Sequence, residues 1–212
     1  MIYFENITLA VPGKTLLKET GLRLASGDKA VVRGPSGCGK SSLLKSAAGA
    51  LPITGKIRID NIELNARTTA EIRSRISFIG QEPVLGAEKV RDALLLPFSY
   101  KIHRNKLPSD KTIFQTLERL HLNAEILQNE AGRISGGEKQ RIVIARALLL
   151  NKSIFIADEI TSALDPESKQ AVMKELFRKE ITLLSVSHDP DWINACSRII
   201  EIHNQKLTEA ET

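Results

Sequence analysis

Short apolar runs alternate along this chain with longer stretches of helical periodicity. "MIYFENITLA" (1–10) alternates apolar and polar positions as a half-buried strand does, and Pro12-Gly13 marks a turn after it. "KAVVRG" (29–34) is a compact apolar run closed by glycine, the pattern of a strand buried on both faces. A helix from about Lys40 to Ala50 follows, stopped by Pro52. "GKIRIDN" (55–61) alternates again and predicts a strand with one wet face, and "RISFIG" (75–80) predicts a further buried one. From 87 to 131 the pattern is mainly helical, with Pro97 and Pro108 as breaks. Then come a helix at 137–150, the buried strand "SIFIAD" (153–158) and a helix starting on Pro166. The buried strand "ITLLSVS" (181–187), a short helix near 190–196 and a last strand "RIIEIH" (198–203) close the pattern. Buried strands in alternation with helices predict an α/β fold, a parallel sheet with helices on it.

The 212 residues allow one substantial core, and 42% hydrophobic with 26% charged residues is ordinary for a soluble globular protein. A net charge of +5 would suit nucleic acid or an anionic membrane, but the basic residues are spread along the chain and no polybasic block stands out. Aromatics at 4% leave little surface for stacking single-stranded bases. Cys38 and Cys196 have neither metal-ligand spacing nor a disulfide framework, which fits a reducing compartment. Glu5 interrupts any apolar leader, and runs such as "ALLL" (147–150) are too short to span a bilayer. The expectation is a cytosolic protein with no membrane insertion of its own.

The strongest chemical signal is "GPSGCGKS" (34–41), which fits G-x-x-x-x-G-K-[ST] between a predicted strand and a predicted helix. Gly34, Gly37 and Gly39 let the backbone curl its amides toward phosphate oxygens. Pro35, Ser36, Cys38 and Ser42 complete the stretch that would surround the nucleotide. Lys40 would meet the outer phosphates and the Ser41 hydroxyl a Mg²⁺ ion. A glycine-rich turn with no ligand has no need of Lys-Ser at the helix start. "SIFIADE" (153–159) ends in two carboxylates: Asp158 is placed to hold Mg²⁺ and Glu159 to polarise a water. Alone, it would read as an acidic strand end. His188 in "SVSHD" and Gln81 after "RISFIG" also lie at the C-terminal ends of strands, where ligands gather in open α/β sheets. They are candidates for contacts with the γ-phosphate and with the metal or attacking water.

"ISGGEKQR" (134–141) opens a helix with two glycines, each costing roughly 1 kcal/mol against alanine. Ser135 and Glu138 form a capping box, which needs no glycine between its ends. Gly136 and Gly137 leave bare amides at the positive end of a helix, a ready anion site.

This order of motifs, with "SALD" (162–165) between the Asp-Glu strand end and His188, resembles the nucleotide-binding subunit of ABC transporters over nearly the whole chain. Ile134 and Glu138 stand where Leu and Gln are commoner. The resemblance implies a P-loop ABC-type ATPase fold, with a mostly parallel core sheet, a small antiparallel β subdomain and a helical subdomain. It implies a single domain, with 1–86 and 150–212 as nucleotide-binding core and 87–149 as helical subdomain. It also implies ATP and Mg²⁺, a second ATPase subunit packed head to tail, and a membrane-spanning permease subunit that holds the chain at the cytoplasmic face of the inner membrane. Ser135–Glu138 would face ATP bound to the partner's P-loop, and Asp165 would cross the seam. Val11 stands where the family usually stacks an aromatic on adenine, while Tyr3 and Phe4 serve the strand or core by alternation. Val84, Leu85 and Gly86 are expected at a groove for a permease helix. "PVLGAEKVRDALLLPFSYKIHRNK" and "DEITSALD" resemble more narrowly the ATPase subunit of small two-component iron or metal exporters.

Two other classes compete. A soluble ABC-type ATPase acting on nucleic acid or ribosomes would carry a long coiled coil or a second cassette, and 82–134 is too short for the former. A small-molecule phosphotransferase would explain 34–41 and leave 134–141, Glu159 and His188 without a joint purpose.

Overall fold

The alternation of the first ten residues forms a strand, with one slip. In the computed structural model, which describes residues 1–210, β1 (Ile2–Val11) buries Ile2 and Phe4, then Ile7 and Leu9. The slip falls at Asn6 (φ 45°), where the register against β2 (Lys14–Leu24) shifts, as a bulge requires. Both strands belong to the first of two compact units, Met1–Phe78 with Ser153–Glu159 and the chain from Lys179 onward. With β4 (Thr54–Ile59) and β5 (Ile62–Glu63) they make an antiparallel sheet in the order β2-β1-β4-β5.

The second sheet of this unit carries the buried runs. Its order is β10-β9-β3-β8-β7-β6, with β3 at Lys29–Arg33, β6 at Ile76–Ile79, β7 at Ile154–Asp158, β8 at Thr182–Val186, β9 at Arg198–His203 and β10 at Lys206–Glu209. β3 runs parallel to β8 and β9, and β7 parallel to β8, while β10 is antiparallel to β9. Every residue of β7 and β8 is buried, which is why neither alternates. α1 (Lys40–Ala47) packs on these strands through Leu43, Leu44 and Ala47. It ends three residues before the expected Ala50. Gly49 (φ 66°) takes the left-handed position, and Ala50 N–H reaches the Lys45 carbonyl at 2.9 Å, a Schellman ending. α7 (Pro190–Ala195) is anchored by Trp192, whose indole N–H donates to Ser185 Oγ at 3.0 Å.

Four elements of this unit were not predicted: β2, the two-residue β5, α2 (Thr69–Arg75) and β10. β2 buries Leu16 and Leu17 in succession and turns left-handed at Glu19 (φ 46°), so its alternation is broken. α2 buries Ile72 alone, and β10 buries none of its four residues.

The second unit, Ile79–Lys152 with Ile160–Arg178, is helical. Its boundaries differ from the 86/87 and 149/150 divisions expected, and it takes in α6 (Pro166–Leu176). α3 (Val90–Leu95), α4 (Asp110–Arg119) and α5 (Gly136–Leu149) contribute Val90, Leu94, Ile113, Leu117, Ile142 and Ile144 to its core. The expected break at Pro97 falls where α3 ends at Leu95, two residues before it. Pro97 itself sits in the first turn of a 3-10 helix at Leu96–Ser99, where a missing N–H costs nothing. A second 3-10 turn spans Arg104–Lys106, and Ser109, after Pro108, caps α4. Among the described residues no helix is long and apolar enough to cross a membrane.

Candidate functional site

The first unit gathers the P-loop and the acidic strand end. The loop from Gly34 to Gly39 joins β3 to α1, with φ of 148° at Gly34, 72° at Gly37 and 111° at Gly39. L side chains rarely adopt such angles, and a Cβ on Gly34 would also lie 3.2 Å from the Ile202 carbonyl oxygen. α1 has no side-chain cap, so its first amides remain for an anion. Lys40 is buried, and its Nζ donates to the carbonyls of Gly34 (2.9 Å) and Pro35 (3.1 Å). Lys14, which sequence reasoning missed, donates from its Nζ to the Gly37 carbonyl at 3.1 Å. It is paired with Val11 across the β1–β2 hairpin, so that hairpin abuts the loop. Val11 itself is partly buried and packs against the core, as does Cys38. Phe4 is buried in the core, and Tyr3 lies under the Arg23 guanidinium, 5.2 Å from its ring centroid.

Ser41 Oγ donates to Asp158 Oδ1 at 3.0 Å. Asp158 is 4% exposed, and burial pushes its carboxyl above the usual range; the Ser41 hydrogen bond opposes that shift and the Glu159 charge adds to it. Glu159 stands at φ 50°, rare for a residue with a side chain, fixed by its N–H donating to the Val186 carbonyl at 2.9 Å. This turns the carboxylate toward His188, with Oε1 3.6 Å from Nε2. A cleft of about 420 Å³ beside the loop is lined by Arg33, Gly34, Pro35, His188, Glu201, Ile202 and His203.

Gln81, Ser135–Glu138 and Asp165 lie in the second unit. Gln81 is exposed just after β6. The capping box is formed: Ser135 N–H donates to Glu138 Oε2 at 2.8 Å, and Glu138 N–H to Ser135 Oγ at 3.2 Å. The amide of Ser135, and then its hydroxyl, hold the Glu138 carboxyl below the usual range. The two glycines differ. A Cβ on Gly136 would meet nothing within 4 Å, whereas one on Gly137 would lie 2.9 Å from the Ala163 carbonyl oxygen. Asp165 caps α6 by accepting from Ser168 N–H at 2.9 Å. Arg141, also missed from sequence, pairs with Asp165 at 3.3 Å and donates to the Ser168 hydroxyl. The "SALD" loop is therefore fixed to α5 at two points.

The ABC transporter family profile matches residues 17–162. FetA, the probable iron export ATP-binding protein of Escherichia coli K12, is 32% identical over 99% of this chain and 95% of its own length. GltL, the glutamate/aspartate import ATP-binding protein of the same strain, is 33% identical over 99% and 90%. Among solved structures, the dimeric post-hydrolysis state of the ATP-binding cassette MJ0796 bound to ADP and Pi superposes with a TM-score of 0.85, at 27% identity, over 100% of this chain and 98% of that one. A bacterial Atm1-family exporter with ATP bound shares the fold at a TM-score of 0.85 and 22% identity, over 98% of this chain and 38% of that one. The chain belongs to the ABC transporter family. It is an ATP-binding, ATP-hydrolysing subunit that powers a transporter.

Proposed function

We propose that residues 1–212 act as one ATPase cassette beside a separate membrane-spanning permease, in a pair that closes head to tail on ATP. The observation that carries this is the set Lys40, Ser41, Asp158, Glu159 and His188 at the ends of adjacent parallel strands. The backbone N–H groups of residues 36–42 and the Lys40 ammonium hold the phosphates. The Ser41 hydroxyl and Asp158 carboxylate, 3.0 Å apart, are hard oxygen donors that fit Mg²⁺, which would neutralise phosphate charge there. Glu159 orients a water and takes its proton as the water oxygen bonds to the γ-phosphorus and the bridging oxygen leaves with ADP. His188 contacts the γ-phosphate, and Gln81 reaches the metal or the water.

The second copy contributes Ser135–Glu138, whose bare Gly136 amide meets the transferred phosphate, and Asp165 at the seam. Val84 is the permease contact: it is 68% exposed, while Leu85 is buried, so of the three residues expected there Leu85 serves the core. Arg146 holds this segment by donating to the Val84 (3.0 Å) and Leu85 (3.1 Å) carbonyls.

For the cargo we favour iron or another metal moving outward, on the stretch 83–106 and on the near full-length likeness to FetA. The permease supplies the metal ligands: among the described residues of this chain no group of three His, Cys, Asp or Glu side chains is placed to hold an ion. The equal likeness to GltL makes amino-acid import the competing cargo. Co-expression with the permease, followed by reconstitution, tests both points. ATP-dependent iron movement across the vesicle, with no glutamate movement, supports the reading; glutamate movement alone contradicts it.

A further inference from the structure

The spread of basic residues along the sequence hides one place where they collect without acids. From Ala93 to Ser109 the chain holds no Asp or Glu, yet it carries Lys101, Arg104 and Lys106, all exposed. Among the described residues none of the three has an acidic partner, and the nearest acid in sequence, Asp110, is taken by Arg91 at 2.6 Å. The same eight residues, 100–107, expose Tyr100 (60%), Ile102 (55%) and Leu107 (63%). Half of the large exposed hydrophobics among the described residues thus lie in one loop, interleaved with its cations.

Further charge lies beside the loop. Lys152, three residues past the end of α5, is pushed down to about 8, by burial first and by the Lys106 charge second. His103 is buried, its Nδ1 has no hydrogen-bond partner, and burial with the charges of Lys152 and Lys106 holds it below the usual histidine range. Cations gathered this closely repel one another, a cost that an anion offsets.

We infer that the loop 100–107 is a contact for the anionic headgroups of a phospholipid bilayer. Aliphatic tips between lysines and arginines suit an interface where apolar groups enter the headgroup layer and cations stay among the phosphates. A nucleic acid would use the charge and leave Ile102 and Leu107 in water. The location agrees. Arg146, which holds the carbonyls of Val84 and Leu85, lies within electrostatic reach of Tyr100, so the loop adjoins the proposed permease contact. That placement rests on the permease reading, but the isolated chain carries the patch with or without a permease.

The test is co-sedimentation of the full chain with vesicles of phosphatidylcholine alone or of an equimolar mixture with phosphatidylglycerol, at low and high salt. The wild type binds the mixed vesicles preferentially, and salt weakens that preference. Lys101→Gln with Arg104→Gln and Lys106→Gln lowers partitioning by roughly two orders of magnitude, with ATP hydrolysis in solution unchanged. Ile102→Ser with Leu107→Ser removes the part of the binding that survives high salt. Equal binding to the two vesicle types, or undiminished binding by the triple variant, overturns the proposal. So does tighter binding to a DNA duplex than to the mixed vesicles at the same salt. If iron transport fails while vesicle binding follows this pattern, the cargo reading fails and the membrane contact stands.

Discussion

A Cβ on Gly137 would lie 2.9 Å from the carbonyl oxygen of Ala163, while the same atom on Gly136 would meet open space. Two neighbouring glycines thus have different reasons to be there. Gly137 lets the "SALD" backbone pack on the first turn of α5, and Gly136 alone leaves its surroundings free for a ligand. Gly137→Ala is therefore an overpacking change and lowers stability by about 1–3 kcal/mol, read as a drop in the thermal midpoint of roughly 2–4 °C per kcal/mol. Gly136→Ala leaves the midpoint level or raises it, because alanine is the better helix former. Equal midpoints for the two variants would contradict the packing role.

Arg141 joins α5 to the same loop through Asp165 and Ser168. Arg141→Ala should release the loop and lower ATP turnover in the assembled transporter at least tenfold, with nucleotide binding by the isolated chain unaltered. Arg141→Lys should recover little, because a point charge cannot reach both partners as a planar fork does. Full recovery by lysine would reduce the contact to simple charge.

The buried carboxyl of Asp158 carries a stability cost, one that goes with its proposed role toward Mg²⁺. Burial raises its carboxyl pKa in the folded state. Between the unfolded value and the raised folded one, the folded protein holds more protons, so this group's contribution becomes less favourable as pH rises through that window. Once it is ionised the penalty persists to neutral pH. Asp158→Asn should therefore raise the thermal midpoint at pH 7, on the order of 2–4 °C for 1 kcal/mol in a chain of this size, while abolishing hydrolysis. The gain should shrink in mildly acidic buffer. A lower midpoint at pH 7 would mean that the bond to Ser41 outweighs the burial cost.

The β1–β2 hairpin touches the P-loop through Lys14, and we propose that it holds the adenine. With Val11 partly buried and no ring at that position, discrimination between ATP and GTP should be weak. Val11→Tyr should tighten ATP by about 1 kcal/mol of stacking, measured as the ratio of the two affinities. An unchanged ratio would place the base elsewhere.

The sequence was most legible where burial was complete. "KAVVR", "IFIAD" and "TLLSV" are compact, mainly apolar runs, and each forms a strand of the mostly parallel sheet. The motifs at their ends were legible for a different reason: Lys40, Ser41, Asp158 and Glu159 are residue types that packing alone does not call for. What failed to show was structure held by distant partners. β2 is registered by β1 despite a broken alternation, and β10 by β9 despite burying nothing. The unit boundary was also hidden, because the association of 160–178 with the helical unit rests on contacts such as Gly137 with Ala163, 26 positions apart. The basic loop at 101–106 escaped because charge was judged over the whole chain, whereas surface potential is local.

The central claim is that Gly136 of one copy faces ATP held by the P-loop of another. Light scattering of Glu159→Gln, with and without Mg²⁺-ATP, tests it most directly. The amide keeps the shape of the side chain but cannot take a proton from water, so ATP stays bound and draws copies into the closed pair by mass action. The account predicts a monomer without nucleotide and a dimer with it. Adding Gly136→Asp, at a position with room for the side chain, sets a carboxylate against a phosphate in a seam with little water, where like charges repel strongly. That double variant should remain monomeric while still binding ATP through its own P-loop. A dimer that persists in the double variant would contradict the claim.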